Sequence, residues 1–396
     1  MANTFKFGNK NWAWKEGSVL AYNDENNNFK PVPFDFTRSS SATRVNKDGL
    51  IEVVGSDEPR VDYLNNADGH LLLEPSRSNV LLQSNQFDTT WSTSTSITIT
   101  GNQSGVGGST DAWLLKRTDG SARYIQQAVS LSGSQVFTFY AKAETTDWLW
   151  VYNGVYSCYF NVKDGVVGTA HAGLISSSIE SVGNGWYRCN IVYDTTISYV
   201  RIYPAQGNGA VSGDSNIGVY IQYAQLEAGS YATSYIPTSG SSVTRAAETN
   251  VNSTPSGVIG QTEGTLYLEF EDLDYVDVSI GRGLSIGDGT STNRIYISQL
   301  SSGAIYAISS TGCEIQESAP ASRRGTIKAA LAYKNNDYAL AVNGVIVGTD
   351  TSATVPTCDK VYLGNYSMAA NLNKPTKQVK LYNTRLTNAQ LIALTS

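Results

Sequence analysis

The sequence predicts an all-β fold, and three observations carry that expectation. Only 16% of residues are charged, while Ser and Thr supply about a fifth of the 396; an average soluble protein has roughly 25% charged residues, so hydroxyls and amides must build much of this polar surface. The chain holds 36 Gly, 24 Tyr and 7 Trp but 2 Met, which favours aromatic and β-branched strands joined by tight turns over helices. Apolar residues recur with a period of two in many short runs, the spacing of strands buried on one face. At about 150 residues per domain the length suits two to three domains. The expected order is an N-terminal anchoring arm followed by two β-sandwich domains.

Residues 1–80 form the first region. Its opening is rich in amides through Asn23, Asn26, Asn27 and Asn28 and has no apolar periodicity, so it reads as an extended arm without a core of its own. Trp12, Trp14, Phe29, Phe34 and Phe36 lie on that arm and are therefore expected to bury against another subunit. Arg38, Arg44, Arg60 and Arg77 follow, each beside Ser, Thr, Asp or Pro. They are either planar forks tying irregular backbone together or ordinary surface arginines.

Residues 81–245 alternate clearly in Val136–Ala141, Trp148–Tyr152, Trp186–Ile191 and Val219–Ala224, with turn markers at Ser132-Gly133, Asp164-Gly165 and Asn184-Gly185 between them. Many short strands of this kind suit a sandwich or jelly roll. Residues 246–259 are small, polar and aperiodic, which is linker composition. Residues 260–396 read as a second sandwich: Leu266, Leu268 and Phe270 share a face, Ile327 to Tyr333 meets Tyr338 to Val342 across Asn335-Asn336-Asp337, and Asn343-Gly344 marks a further hairpin. Thr387 and Gln390 form a capping box before Leu391 to Leu394, predicting one short closing helix.

Composition also excludes functions. The net charge is −6 and basic residues nowhere cluster, so no nucleic-acid partner is expected. No run of 18 apolar residues exists and the first residues lack the order of a secretory signal, so neither membrane insertion nor export by that route is expected. Cys158, Cys189, Cys313 and Cys358 include no Cys-x-x-Cys pair; buried free thiols are expected, with a Cys158–Cys189 bridge as the alternative. His70 and His171 are the only histidines, too few for a multi-histidine metal site.

Several stretches carry a resemblance. Phe36-Thr-Arg-Ser-Ser-Ser-Ala-Thr-Arg44, Glu58-Pro-Arg-Val-Asp-Tyr63, Leu71-Leu-Leu-Glu-Pro-Ser-Arg77-Ser-Asn79 and Ser84-Asn-Gln-Phe87 resemble the opening of many bacteriophage tail and fibre proteins. Phe139-Tyr-Ala-Lys-Ala143, Val182-Gly-Asn-Gly-Trp-Tyr-Arg-Cys189 and Gln225 to Thr238 are similar to the carbohydrate-binding-type jelly roll those proteins carry. Val342-Asn-Gly344, Val361-Tyr-Leu-Gly364 and Lys380 to Leu391 resemble a laminin-G or concanavalin A-like domain. The resemblance implies a virion-surface appendage, on tail or head, made in the host cytoplasm. Its implied partners are other phage structural proteins, copies of itself, with a homotrimer favoured, and a host cell-surface glycan.

A sandwich binds sugar by laying rings against pyranose faces and satisfying hydroxyls with amides and arginine. Trp148, Trp150 and Tyr152 share one strand face, with Arg188 and Arg201 as forks suited to acidic sugars, unless the three rings are core. In the last domain Asn293, Asn335 and Asn365 sit at turns and are further glycan candidates. Glu269 and Glu271 lie two apart on one strand, the spacing a depolymerase would need. Asp272, Asp274 and Asp277 offer hard oxygens to a calcium ion, the one cofactor candidate. The expectation from these residues is a glycan-binding phage adhesin that is not an enzyme, with a head fibre, decoration or adaptor subunit that binds no sugar, or a polysaccharide depolymerase, as alternatives.

Overall fold

A computed structural model describes residues 4–23, 30–253, 257–272, 282–300, 302–318, 320, 325–363 and 375–396. Among the described residues the fold is all-β, with about half of them in strands and 3% in helix. By contact the chain divides into two compact units: Met1–Ser41 with Val54–Pro75 and Ala246–Ser396, and Ala42–Val53 with Ser76–Arg245.

The second of these is a sandwich of two six-stranded antiparallel sheets. One sheet runs Ser92–Thr93, Ile125–Leu131, Ile197–Ala205, Trp148–Tyr152, Ser157–Asn161, Val166–Ala170; the other runs Ile97–Gln103, Ala112–Arg117, Gly218–Ala228, Ser134–Ala143, Trp186–Asp194, Ser176–Gly183. Alternation sends Phe137, Phe139, Leu149, Val151, Phe160, Cys189, Ile191, Val200 and Ile202 into one core between them. That alternate side chains enter the core is what makes the remaining set available on the outer faces. All four cysteines are free and buried; Cys158 and Cys189 both belong to this core but come from opposite sheets.

The other unit is a continuous antiparallel ladder wrapped around one large core. Glu263–Asp272 pairs with Gly325–Lys334 on one side and Thr376–Tyr382 on the other, and Tyr338–Val342 follows across the predicted Asn335-Asn336-Asp337 turn. Asn343 and Gly344 both take positive φ, 45° and 81°, as a type I′ hairpin turn requires. The closing helix is Asn388–Thr395, with the capping box between Thr387 and Gln390 formed as expected.

The N-terminal residues are strands of this second core. Phe5–Gly8 pairs with Thr376–Tyr382, setting Phe5 opposite Leu381 and Phe7 opposite Val379. Phe34 and Phe36 are 0% and 1% exposed within the same core as Leu266, Leu268 and Leu381, with Phe34 at ring-contact distance from Phe5 and Phe7. Trp12 is half-buried, packs on Phe7 and donates its Nε1 to the Asp68 carbonyl at 2.9 Å; Trp14 is half-buried in the short strand Trp14–Lys15. The expectation that this stretch lacks a core is therefore corrected, and Phe34 and Phe36 bury within their own chain. The reason is long range: the partner strand lies some 370 residues away, beyond any local periodicity. Phe29 lies outside the described residues.

The stretch expected as a linker is likewise structured where described. Thr249–Ser253 is a strand between Lys30–Thr37 and Lys360–Leu363, and Glu248 is fully buried. Its polarity reflects a buried ion-pair network. Arg38 donates to the carbonyls of Ser40 and Glu58, to that of Gly55, and to Glu248, and Arg60 donates to both Glu248 and Glu74. Of the two readings of the arginines, forks that tie irregular backbone describe Arg38 and Arg60; Arg44 pairs with Glu52, and Arg77 reaches Glu227 at 3.9 Å.

Candidate functional site

Trp148–Tyr152 is the strand on which the site is built. Leu149 and Val151 are 0% exposed and point into the sandwich core, so Trp148, Trp150 and Tyr152 stand on the outer face, each half-buried. They are thus not the core residues that alternation alone equally allowed. Cross-strand register adds to them: Trp150 faces Tyr203 on one neighbour and Tyr159 on the other, and Tyr152 faces Arg201.

The result is a continuous aromatic cluster on the outer side of the sheet, in which Tyr159 and Tyr203 are buried and Trp150, Tyr152 and Tyr199 are partly exposed. Trp150 stacks on Tyr152 at 5.1 Å with an 8° interplanar angle, and lies 4.6 Å from Tyr203 and 5.9 Å from Tyr159. Tyr199 meets Tyr152 edge-on at 6.2 Å, and Tyr124 sits 5.1 Å from Tyr203. The Trp150 Nε1 is shut from solvent with no hydrogen-bond partner. At the strand's start, a Cβ on Gly168 would fall 2.6 Å from the Trp148 ring and 2.6 Å from the Asn208 Oδ1, so glycine there is what lets the indole and the Asn208 amide lie against the neighbouring backbone.

Arg201 lies inside this cluster. Its guanidinium carbon is 4.1 Å from the Tyr124 ring centre and 4.2 Å from that of Tyr199. Nε donates to Gln126 Oε1 at 2.6 Å and Nη1 to the Tyr203 hydroxyl at 3.4 Å.

Arg188 does not join it. It belongs to the other sheet, where it faces Tyr140 and donates Nη2 to the Thr233 carbonyl at 2.5 Å. Cys189 and Ile191 from its own strand fill the core, so Arg188 projects from the opposite side of the sandwich. Trp186 on the same strand is 1% exposed among Tyr140, Tyr223 and Tyr235 and is a packing residue.

In the other unit Asn293 and Asn335 act as turn braces. Asn293 Nδ2 donates to Asp288 at 2.7 Å, and Asn335 Oδ1 accepts from the Val355 backbone at 2.8 Å. Hydrogen bonds from Thr290, then from Asn293, hold the exposed Asp288 carboxyl down to about 2. Ser310 to the Thr292 carbonyl and Thr311 to the Thr354 carbonyl link the two turns into one loop cluster. Asn365 lies outside the described residues.

Glu269 accepts from the Tyr267 hydroxyl at 2.9 Å, while Glu271 pairs with Lys377 at 2.5 Å and accepts from Thr326 at 3.0 Å. Asp272 accepts from Gln299; Asp274 and Asp277 lie outside the described residues. Among the described residues no group of three or more His, Cys, Asp or Glu side chains is placed to hold a metal ion. The glycines at 283 and 287 stand in the strand Arg282–Gly287; a Cβ at Gly283 would come within 1.8 Å of the Ile297 carbonyl.

Sequence reasoning missed Tyr124, Tyr159, Tyr199 and Tyr203. Tyr199-x-Arg201-x-Tyr203 is a period-two signal in plain view, but only cross-strand register shows that it abuts Trp150 and Tyr152.

No protein-family model matches this sequence, and no curated protein matches it. Solved structures align with it at low similarity. The Ruminococcus gnavus IT-sialidase CBM40 is 21% identical with a TM-score of 0.30, covering 35% of this chain and 84% of that one. A Trypanosoma rangeli sialidase in complex with 2,3-difluorosialic acid is 11% identical with a TM-score of 0.32, covering 96% of this chain and 81% of that one. A heptameric SAP-like pentraxin from Limulus polyphemus is 12% identical with a TM-score of 0.25, covering 34% and 70%. The near-full-length matches are sialidases, which are enzymes, so the expectation that this chain is not an enzyme is withdrawn. At TM-scores near 0.3 none of these likenesses argues for a shared activity.

Proposed function

We propose that this chain is a glycan-binding virion appendage protein, and that the outer aromatic face of its Ala42–Val53 and Ser76–Arg245 unit receives the sugar. The observation that carries the sugar assignment is the stacked pair Trp150 and Tyr152, both partly exposed and met edge-on by the partly exposed Tyr199, with the buried Tyr203 supporting Trp150 from beneath. The C–H face of a pyranose packs on such rings, while the phenol and amide groups at their edges answer its hydroxyls. The similarity of the Phe36–Phe87 stretches to phage tail and fibre proteins supports the location, on tail or head, with other structural proteins of the particle as neighbours. Single sugar sites commonly bind in the millimolar to micromolar range, so several copies, a homotrimer by analogy with fibres, would multiply avidity.

A glycan array probed with the purified protein tests the sugar assignment. Binding that disappears in Tyr152→Ala and Trp150→Ala supports it. If no host-surface glycan binds, it fails, and a decoration or adaptor role without sugar takes its place. Immunogold labelling of virions tests the location, and sedimentation equilibrium the oligomer.

A further inference from the structure

We propose, building on the glycan assignment, that the sugar taken at this face carries a carboxylate, as uronic and sialic-type acids do, and that Arg201 is the residue that reads it. A half-buried arginine is ordinarily matched by a carboxylate. Arg38, Arg60, Arg123 and Arg385 follow that pattern, paired with Glu248, Glu74, Asp119 and Asp337. Among the described residues Arg201 has no carboxylate within ion-pair distance; Arg117 also lacks one but is buried and donates to the backbone carbonyls of Asp214, Ser121 and Val211, whereas Arg201 is only half-buried and is surrounded by Tyr124, Tyr199, Tyr203 and the neutral amide of Gln126. A chain with 34 acidic and 28 basic residues does not lack acids to place there.

The geometry holds the cation ready. A guanidinium donates only in its own plane, so rings over its faces fix its orientation and leave its N–H fork usable. The bonds from Nε to Gln126 and from Nη1 to Tyr203 pin two points of that plane. Nη2 is left without a protein acceptor among the described residues, on a residue whose cross-strand neighbour is Tyr152 of the stack. A sugar ring on the stack would bring a substituent carboxylate to Nη2, where a charge-assisted and, in the best case, bidentate bond forms without reorganising the arginine. Arg201 then selects acidic over neutral sugars, while the rings bind both.

Titration calorimetry with matched pairs tests this: trigalacturonic acid against its neutral galactose counterpart, and sialyllactose against lactose, with a sulfated lactose as a third arm. The carboxylated member of each pair should bind about ten- to a hundred-fold tighter, the range a charge-assisted hydrogen bond gives. That margin should shrink as NaCl rises from about 50 mM to 500 mM, in the wild-type protein and so independently of any variant's folding. Arg201→Gln should erase the margin between the members of each pair, and Arg201→Lys should keep part of it. Equal binding within each pair, or preference for the sulfated arm alone, overturns the carboxylate inference while the glycan assignment stands. Binding of none of the five probes at millimolar concentration overturns both.

Discussion

Arg60 and Glu248, 188 residues apart in sequence, form a fully buried two-point ion pair, Nε to Oε1 at 2.7 Å and Nη2 to Oε2 at 2.5 Å. Glu248 also takes Arg38 Nη1 at 2.8 Å and the Glu74 backbone N–H at 2.8 Å. Two guanidinium groups and two carboxylates balance in a buried cluster, and the carboxylates keep Arg60 firmly protonated despite its burial. Removing one carboxylate would strand charge in that cluster.

Glu248→Gln should therefore cost about 3–5 kcal/mol, the range for breaking a buried pair from one side. Urea denaturation monitored by circular dichroism reads the loss. Lys163→Ala, which removes an exposed pair with Asp147, should leave the midpoint unchanged. Equal behaviour of the two variants would show that the network does not hold the fold.

Deleting residues 1–23 should unfold the unit that contains Ala246–Ser396, because it removes Phe5, Phe7, Val19 and Ala21 from that core and strips the partner strand from Thr376–Tyr382. Limited proteolysis should then digest residues 246–396 and spare residues 76–245. An undigested C-terminal fragment would contradict the assignment of these strands to one core.

Trp186→Ala and Trp150→Ala should separate stability from binding. Trp186 is 1% exposed, and truncating a buried tryptophan costs about 3–5 kcal/mol. Trp150 is half-buried among tyrosines, so its loss forfeits ring contacts of about 0.5–1.5 kcal/mol each and less buried area. Thermal melts should rank Trp186→Ala as the more damaging, whereas glycan binding per folded molecule should fall only in Trp150→Ala.

Stability should decline in alkali. Burial pushes the Cys158 thiol up to about 11 and Cys313 and Cys358 up to about 12, each from an ordinary 9.0. A raised folded pKa means that the stabilisation is complete below the unfolded value and is lost as pH rises through the folded one. The denaturation midpoint should thus fall between about pH 9 and pH 11–12. For the same reason none of the four thiols should react with Ellman's reagent at pH 8 until the protein is unfolded.

Alternation made much of this fold legible. Trp148–Tyr152, Val136–Ala141 and Trp186–Ile191 are strands because side chains two apart share a face, a relation contained within a few residues. The Asn343-Gly344 turn and the Thr387–Gln390 cap were readable for the same reason: both follow from local backbone sterics and hydrogen bonding. The grouping of the candidate site's residues was legible in part. Trp148, Trp150 and Tyr152 could be grouped, and Arg201 belongs with them, but Arg188 projects from the opposite sheet.

What sequence by itself determined here is the all-β class, the alternating strands and turns within residues 81–245 and 260–396, and which residues share each of their faces, since all of these are set within a window of about ten residues. Tertiary structure alone decided which face is core and which is open, because that depends on the sheet that packs across it. It placed Phe5 against Leu381 and Glu248 between Arg38 and Arg60, contacts fixed by strand pairing and charge balance over hundreds of residues. It also set Tyr203 and Arg201 beside Trp150 and Tyr152, since register between strands follows from the packed core as a whole and not from either strand alone.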